Sequence, residues 1–233
     1  MARKKNEKQD EVYEILKKRI IKLDYLPNQT LSANELSQEF ELNRPALKEV
    51  LMRLSSDSLV EVNATNYTVS NFSLQDIIEL YQVREALECK SVELILKNGG
   101  LSDEQIRTIE SLNNELMECV ESKRYQDAFG LDDEFHLTMI TFSGNKALIS
   151  LFKHIRIQIT RGRWMTLFHS DHNDTWKEHL PIIEALKAKN TVEAREALIS
   201  HIGRAVSDIE DIFKNADYER ALFVLQHMKE AEK

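Results

Sequence analysis

The chain has 233 residues, of which 42% are hydrophobic and 30% charged, with only 6 glycines and 3 prolines. This composition predicts one or two mainly α domains, and no apolar run approaches the ~20 residues that a membrane span requires. The basic, polar start has no apolar segment typical of a secretory signal, and Cys89 and Cys119 are isolated cysteines that we interpret as free thiols. We therefore expect a cytoplasmic protein with no membrane partner.

The charge is unevenly distributed along the chain. The formal net charge of −8 would by itself argue against a nucleic-acid partner. Residues 1–70, however, hold 11 basic and 11 acidic residues, so residues 71–233 carry the whole excess of negative charge. This division indicates a balanced front part joined to an acidic back part.

The front part begins with residues 1–9, which we expect to be a disordered basic segment, and continues with helical patterns. A first helix is predicted over residues 10–23. Ser32 and Glu35 form a capping box that opens a second helix, and Asn43 is a suitable N-cap for a third. The apolar residues of the first helix recur at helical spacing: Val12, Ile15, Leu16, Ile20 and Leu23.

The third helix carries two exposed cations, Arg44 and Lys48, and a short β-hairpin follows it, with alternating apolar residues on either side of "NATN". Two short helices, a tight turn, a cationic third helix and a hairpin are the parts of a winged helix-turn-helix, here over residues 10–72. In such a domain the third helix enters the major groove and the hairpin reaches the flanking DNA. The alternative is a small helical protein-interaction domain with ordinary surface cations.

The stretch "LSANELSQEFELNRPALKEVLMRLSSDSLVEVNATNYTV" resembles the DNA-binding domain of GntR-type bacterial transcription regulators. Matching positions include Asn43-Arg44-Pro45, the run from Leu47 to Leu51, and Leu59-Val60. Three departures are Lys48 where the family has arginine, Asn34 where some members carry a phosphate-binding arginine, and Asn66 where glycine is usual. The resemblance implies a double-stranded DNA operator. The candidate DNA-binding residues are Asn34, Asn43, Arg44, Lys48 and Asn66.

The back part, residues 73–233, is predicted to be an all-α bundle of six to seven amphipathic helices, because no strand pattern occurs after residue 70. Glycine pairs, asparagines and the polar "HSDHND" separate these helices. The predicted ranges are 74–98, 102–121, 124–143, 146–168, 175–189, 191–213 and 216–231.

Four polar residues lie in the middle of apolar helix faces in this bundle. Asp132 and His136 are one turn apart on the same side as the apolar Phe135. His179 lies 11 residues before Asn190, where two helices join, and His201 lies 11 residues after it. In an antiparallel pair, equal distances from the turn place both histidines at the same height, roughly 16 Å from the loop.

One aspartate and three histidines that converge from three helices form a site for a first-row transition metal. We predict one divalent ion per chain at Asp132, His136, His179 and His201, with zinc and nickel as the leading candidates. The alternative is a set of separate core histidines, each satisfied by a carbonyl or carboxylate oxygen.

The motif "LDDEFHLTM" resembles the Asp-x-x-Phe-His motif of the FCD ligand-binding domain in the FadR-like branch of GntR regulators. "EHLPIIEALKAKNTVEAREALISHI" is similar to the paired-histidine hairpin of that domain, and "VREALECKSVELI" to its opening helix. The resemblance implies a metal held by the four residues named above and a small carboxylate effector that completes the coordination. Residues 73–233 are therefore expected to bind the effector and to form a homodimer.

Arg84 and Glu88 lie one turn apart on an apolar face. They are interpreted either as a buried ion pair or as a site in which Arg84 binds an effector carboxylate. Three functions follow from the sequence: an effector-responsive regulator, a metalloenzyme that uses the ion as a Lewis acid, and a regulator that has lost DNA binding. Against the enzyme, no general base is expected at the centre, because Glu134 faces the opposite side of its helix and Glu178 lies off the direction of His179.

Overall fold

The computed structural model describes residues 2–64, 66–164 and 175–214. Nine helices and three short strands occur in this part of the chain, so the protein is mainly α, as predicted. A winged helix-turn-helix comes first and an all-helical domain follows. None of the helices within these residues is both long enough and apolar enough to cross a membrane.

The winged helix-turn-helix contains three helices and a three-stranded antiparallel sheet of order β1-β3-β2. Ser32 accepts a hydrogen bond from the Glu35 amide at the start of α2, and Asn43 accepts one from the Ala46 amide at the start of α3, so both predicted caps are confirmed. The elements are α1 (Ala2–Ile21), β1 (Thr30–Leu31), α2 (Ala33–Glu39), α3 (Arg44–Ser56), β2 (Val60–Asn63) and β3 (Asn66–Val69).

Two features of this domain differ from the sequence prediction. Helix α1 begins at Ala2. Residues 2–9, which were expected to be part of a disordered segment, therefore belong to this helix. That segment lacks glycine and proline, and its lysines and its one glutamate are good helix formers. The side chain of Gln9 is buried and donates to the Ala46 carbonyl at 3.2 Å, which attaches α1 to α3. Strand β1 was not predicted because two residues are too few to show alternation.

Six helices form the C-terminal bundle within the described residues, and their bounds lie close to the predicted ones. Helix α4 packs against α6, α7 and α9, while α5 packs against α6 and α8, and α8 pairs with α9. The predicted last helix, 216–231, lies outside the described residues. The bounds are α4 (Leu74–Lys97), α5 (Asp103–Glu121), α6 (Tyr125–Phe142), α7 (Lys146–Arg163), α8 (Thr175–Lys187) and α9 (Thr191–Lys214).

Candidate metal centre

Asp132, His136, His179 and His201 converge at the centre of the bundle. Helix α6 carries Asp132 and His136, α8 carries His179 and α9 carries His201. One ligand atom from each residue lies within 4.8 Å of the ligand atoms of the other three, and all four side chains are buried. The convergence that the sequence predicted from helical spacing and from the height of the two histidines is therefore present in the structure.

Each of the three histidines is held through its Nδ1 atom by an oxygen atom. An Nδ1–H group that donates to such an oxygen fixes the tautomer and leaves the Nε2 lone pair directed at the centre, the arrangement that is common for metal-ligating histidines. The pairs are His136 with Glu88 at 2.6 Å, His179 with Asn113 at 3.1 Å and His201 with Glu178 at 2.9 Å.

Two of the four inward-facing atoms lack the hydrogen-bond partners that buried polar atoms normally have. Among the described residues, His179 Nε2 and Asp132 Oδ1 have no hydrogen-bond partner, although they lie 3.4 Å apart. The Nε2 atoms of His136 and His201 are 3.1 Å apart. When both rings carry their proton on Nδ1, two lone pairs face each other across this distance. A cation between the four atoms would remove the repulsion and satisfy the buried groups.

Protonation states in the cluster also suit a cation. Burial lowers the pKa of His136 to about 3 and also lowers the pKa of His179, so both rings are neutral near pH 7. Burial opposes ionisation of Asp132, but the charge of Arg163 and the neighbouring histidines hold its pKa well below the usual value. Neutral His136 and His179 rings and an ionised Asp132 are the protonation states that a metal requires of these ligands, so the cluster, together with His201, can hold a divalent transition metal.

Arg84 and Glu88 form the buried ion pair that one sequence interpretation proposed. Arg84 Nε donates to Glu88 Oε1 at 2.6 Å, and both side chains are almost fully buried. Burial favours the neutral form of Glu88, but the interactions with His136 and Arg84 lower its pKa to about 2. Glu88 therefore connects Arg84 to His136, a second role that the sequence reasoning did not assign to it.

The sequence did not predict the contacts that Glu178 and Asn113 make with the histidines. Glu178 was expected to lie away from the centre, but it bonds His201 and also contacts Arg204 on α9. That expectation was wrong because it considered only the direction of Glu178 relative to His179 on α8, whereas the contacts come from the neighbouring helix. Asn113 did leave a signal, because it lies on the buried stripe of α5 with Ile109 and Leu116.

A polar cavity opens beside the centre. It is bordered by both ligand-bearing and cationic side chains, and Arg84, the sequence candidate for effector binding, is one of them. Arg163, which the sequence reasoning missed, also lines the cavity and contacts Asp132 Oδ2. The charged residues of the wall are Arg84, Arg163, Arg204, Asp132, Glu178 and Asp208.

The five DNA-binding candidates are exposed on the N-terminal domain. Arg44 and Lys48 lie on α3, the position of a recognition helix, and Arg44 Nη2 donates to Asn34 Oδ1 at 2.7 Å. Asn43 caps α3, while Asn66 lies in the hairpin opposite Asn63. The structure thus places all five on the helices and hairpin expected to face DNA, with Asn34 oriented towards Arg44.

The hydrogen bond from His201 to Glu178 provides a test of the centre. Glu178→Gln keeps the shape of the side chain and removes its charge, so His201 becomes a weaker donor to the ion. We expect zinc affinity to fall about 10- to 100-fold, measured by competition with a chelating dye. Glu184→Gln, on the exposed face of the same helix, is the control. Equal zinc affinity in both variants would show that Glu178 does not support a ligand.

A winged helix-turn-helix followed by an all-helical domain is the architecture of a two-domain transcription regulator. Two family models match this chain, "Bacterial regulatory proteins, gntR family" over residues 8–68 and "FCD domain" over residues 79–204. The chain belongs to the GntR family of bacterial transcription regulators and contains an FCD ligand domain.

Individual relatives agree with this assignment. The chain is 25% identical over 206 residues to the HTH-type transcriptional regulator YdhC of Bacillus subtilis, covering 87% of this chain and 91% of the relative. It is 22% identical over 211 residues to the HTH-type transcriptional repressor RspR of Escherichia coli, covering 89% and 92%. The fold is similar to that of the solved structure of E. coli McbR/YncC, with a TM-score of 0.75, 18% identity and coverage of 88% and 98%.

Proposed function

We propose that this transcription regulator controls its operator affinity through a small carboxylate effector bound at a divalent metal held by Asp132, His136, His179 and His201. The observation that carries the proposal is the shared geometry of the three histidines, whose Nδ1 atoms are anchored by oxygens and whose Nε2 atoms meet beside Asp132 Oδ1. Separate core histidines would not need to converge. Zinc or nickel suits a set of three nitrogens and one oxygen.

The carboxylate class of effector follows from the cavity beside the centre. The metal, when bound, would supply a Lewis acid with positions open to ligand oxygens. Arg84 and Arg163 lie in the cavity wall, and a guanidinium binds a carboxylate with two parallel hydrogen bonds. Glu88 accepts a hydrogen bond from Arg84 Nε and so holds the guanidinium in place. A small mono- or dicarboxylate that reaches both the ion and an arginine would bind more tightly than a neutral sugar.

Calorimetric titration of a panel of mono- and dicarboxylates tests this part of the proposal. Each acid is added to the zinc-loaded protein and to the same protein after chelation. We expect at least one acid to bind only the zinc-loaded form. An acid that binds both forms equally well would show that the ion is structural and that the effector site lies elsewhere.

The matched families and relatives are transcription regulators, so the metalloenzyme alternative is not supported. We propose that the regulator acts in the cytoplasm as a homodimer, because two DNA-binding domains on a palindromic operator bind more tightly than one. Equilibrium sedimentation measures the oligomeric state directly.

DNA recognition by α3 gives a further prediction. Arg44→Ala and Lys48→Ala should each weaken binding to an operator selected from random double-stranded DNA, by about 1–3 kcal/mol if the side chain contacts a base edge. Lys97→Ala, an exposed cation at the end of α4, is the control. Unchanged affinity in both α3 variants would contradict the recognition-helix assignment. Failure of the unmodified protein to select any DNA would favour a regulator that has lost DNA binding.

A further inference from the structure

The last turn of α7 contacts both the candidate metal centre and the DNA-binding domain. Arg163 contacts Oδ2 of Asp132, the oxygen that does not face the histidine cluster. Two residues earlier, Arg161 is buried and donates from Nη2 to the carbonyl of Ser70 at 2.5 Å. Ser70 follows β3, the last strand of the wing, so a single helical turn is attached to both domains.

A continuous series of ring contacts runs from Arg163 to the DNA-binding domain. The Arg163 guanidinium lies 4.7 Å from the centre of the Phe129 ring, and Phe129 stacks on Trp164 with ring centres 6.3 Å apart. Trp164 packs in one cluster with Leu23, just beyond the end of α1. The Lys22 ammonium also lies 5.0 Å from the centre of the Trp164 ring. A movement of Arg163 would therefore change the packing at the end of α1.

Arg161 forms a second connection, to the segment that joins the two domains. Besides its bond to Ser70, its guanidinium lies 4.6 Å from the ring centre of Phe72. Residues 70–73 connect β3 to α4. A change in their position would therefore alter the angle between the DNA-binding domain and the helical bundle. Both connections start from the last turn of α7. One contacts the DNA-binding domain at the end of α1 and the other at the segment after β3.

We propose that the last turn of α7 transmits occupancy of the metal centre to the DNA-binding domain, with Arg163 as the positioning residue that senses Asp132. This inference rests on the proposed function. A cation that binds Asp132 Oδ1 withdraws negative charge from the carboxylate. The ion pair between Asp132 and Arg163 then weakens. Arg163 then has two arrangements, one favoured when the metal site is free and the other when it is occupied. Phe129 and Trp164 move with Arg163. Such a two-state element biased by one site is the physical requirement for coupling.

The experiment uses the full chain with Trp176→Phe as the parent, because Trp164 is then its only tryptophan. Zinc alone is the probe. Two quantities are measured at saturating zinc and after chelation: the emission of Trp164 and the affinity for an operator selected from random DNA. Arg163→Lys removes the planar guanidinium, and Trp164→Leu removes the ring that stacks on Phe129 and lies beside Lys22. Arg156→Lys is the matched control, since Arg156 also joins α7 to α6, by an ion pair to Asp133 at 2.7 Å.

In the parent and in the Arg156→Lys control, zinc should shift the Trp164 emission and change operator affinity at least about fivefold. In Arg163→Lys the emission shift should be lost. In both Arg163→Lys and Trp164→Leu the change in operator affinity should shrink to within about twofold. Trp164→Leu should still bind zinc, since Trp164 provides no ligand. If Trp164→Leu does not fold, Arg163→Lys alone decides the outcome.

Failure of this inference differs from failure of the proposed function. If the parent responds to zinc and both variants respond equally, the link through α7 is overturned while metal-dependent regulation stands. If zinc binds the parent but changes neither emission nor operator affinity, the link is also overturned. If zinc does not bind the parent at all, the metal centre itself is wrong and the link falls with it.

Discussion

Replacing His201 with alanine should lower zinc affinity by more than about 100-fold, beyond the loss expected from changing a supporting residue. The Nε2 atom of His201 lies 3.1 Å from that of His136, so the variant removes one of the nitrogens nearest the centre. Bound zinc also stabilises the folded state by mass action. Chelation should therefore lower the melting temperature of the unmodified protein and have little effect on His201→Ala.

His154→Ala is the control for this prediction, because His154 lies on α7 with about half of its side chain exposed. Metal content by mass spectrometry of the purified protein and dye competition give two independent readings. About one ion per chain is expected for the unmodified protein and for the control. Full metal content in His201→Ala would mean that the α8–α9 pair does not ligate the ion and that the histidines are ordinary core residues.

The four convergent residues were predictable because helical periodicity fixes which side chains share a face. Asp132 and His136 are one turn apart on α6, so their common direction follows from the sequence alone. The heights of His179 and His201 follow from the antiparallel α8–α9 pair and its turn at Asn190. Both arguments use local geometry, which the structure confirms for these helices.

The supporting residues could not be predicted in the same way, since they depend on how helices are rotated against each other. Glu178 meets His201 across the α8–α9 interface, and Arg163 meets Asp132 across the α6–α7 interface. Periodicity shows which residues point inward but does not identify their partners. Asn113 is an intermediate case: its place on an apolar stripe marked it as buried, but nothing local connected it to His179.

Breaking the Arg84–Glu88 pair should destabilise the protein by about 3–5 kcal/mol, the usual cost of leaving one buried charge without its partner. Glu88→Gln preserves the volume of the side chain but removes the charge that compensates Arg84. The free energy of unfolding is measured by urea denaturation after chelation, so that loss of metal does not contribute. Lys90→Gln removes an exposed pair with Glu93 on the same helix and should cost less than about 1 kcal/mol.

A double variant separates loss of the charge from loss of packing. When Arg84→Met is combined with Glu88→Gln, no buried charge is left unpaired within α4, and much of the lost stability should return. A double variant as unstable as the sum of the two single changes would mean that each side chain acts independently. In that case other contacts would hold Arg84 in the cavity wall. One of them is with Tyr81, whose ring centre lies 5.5 Å from the Arg84 guanidinium. Glu88 would then serve mainly to hold His136.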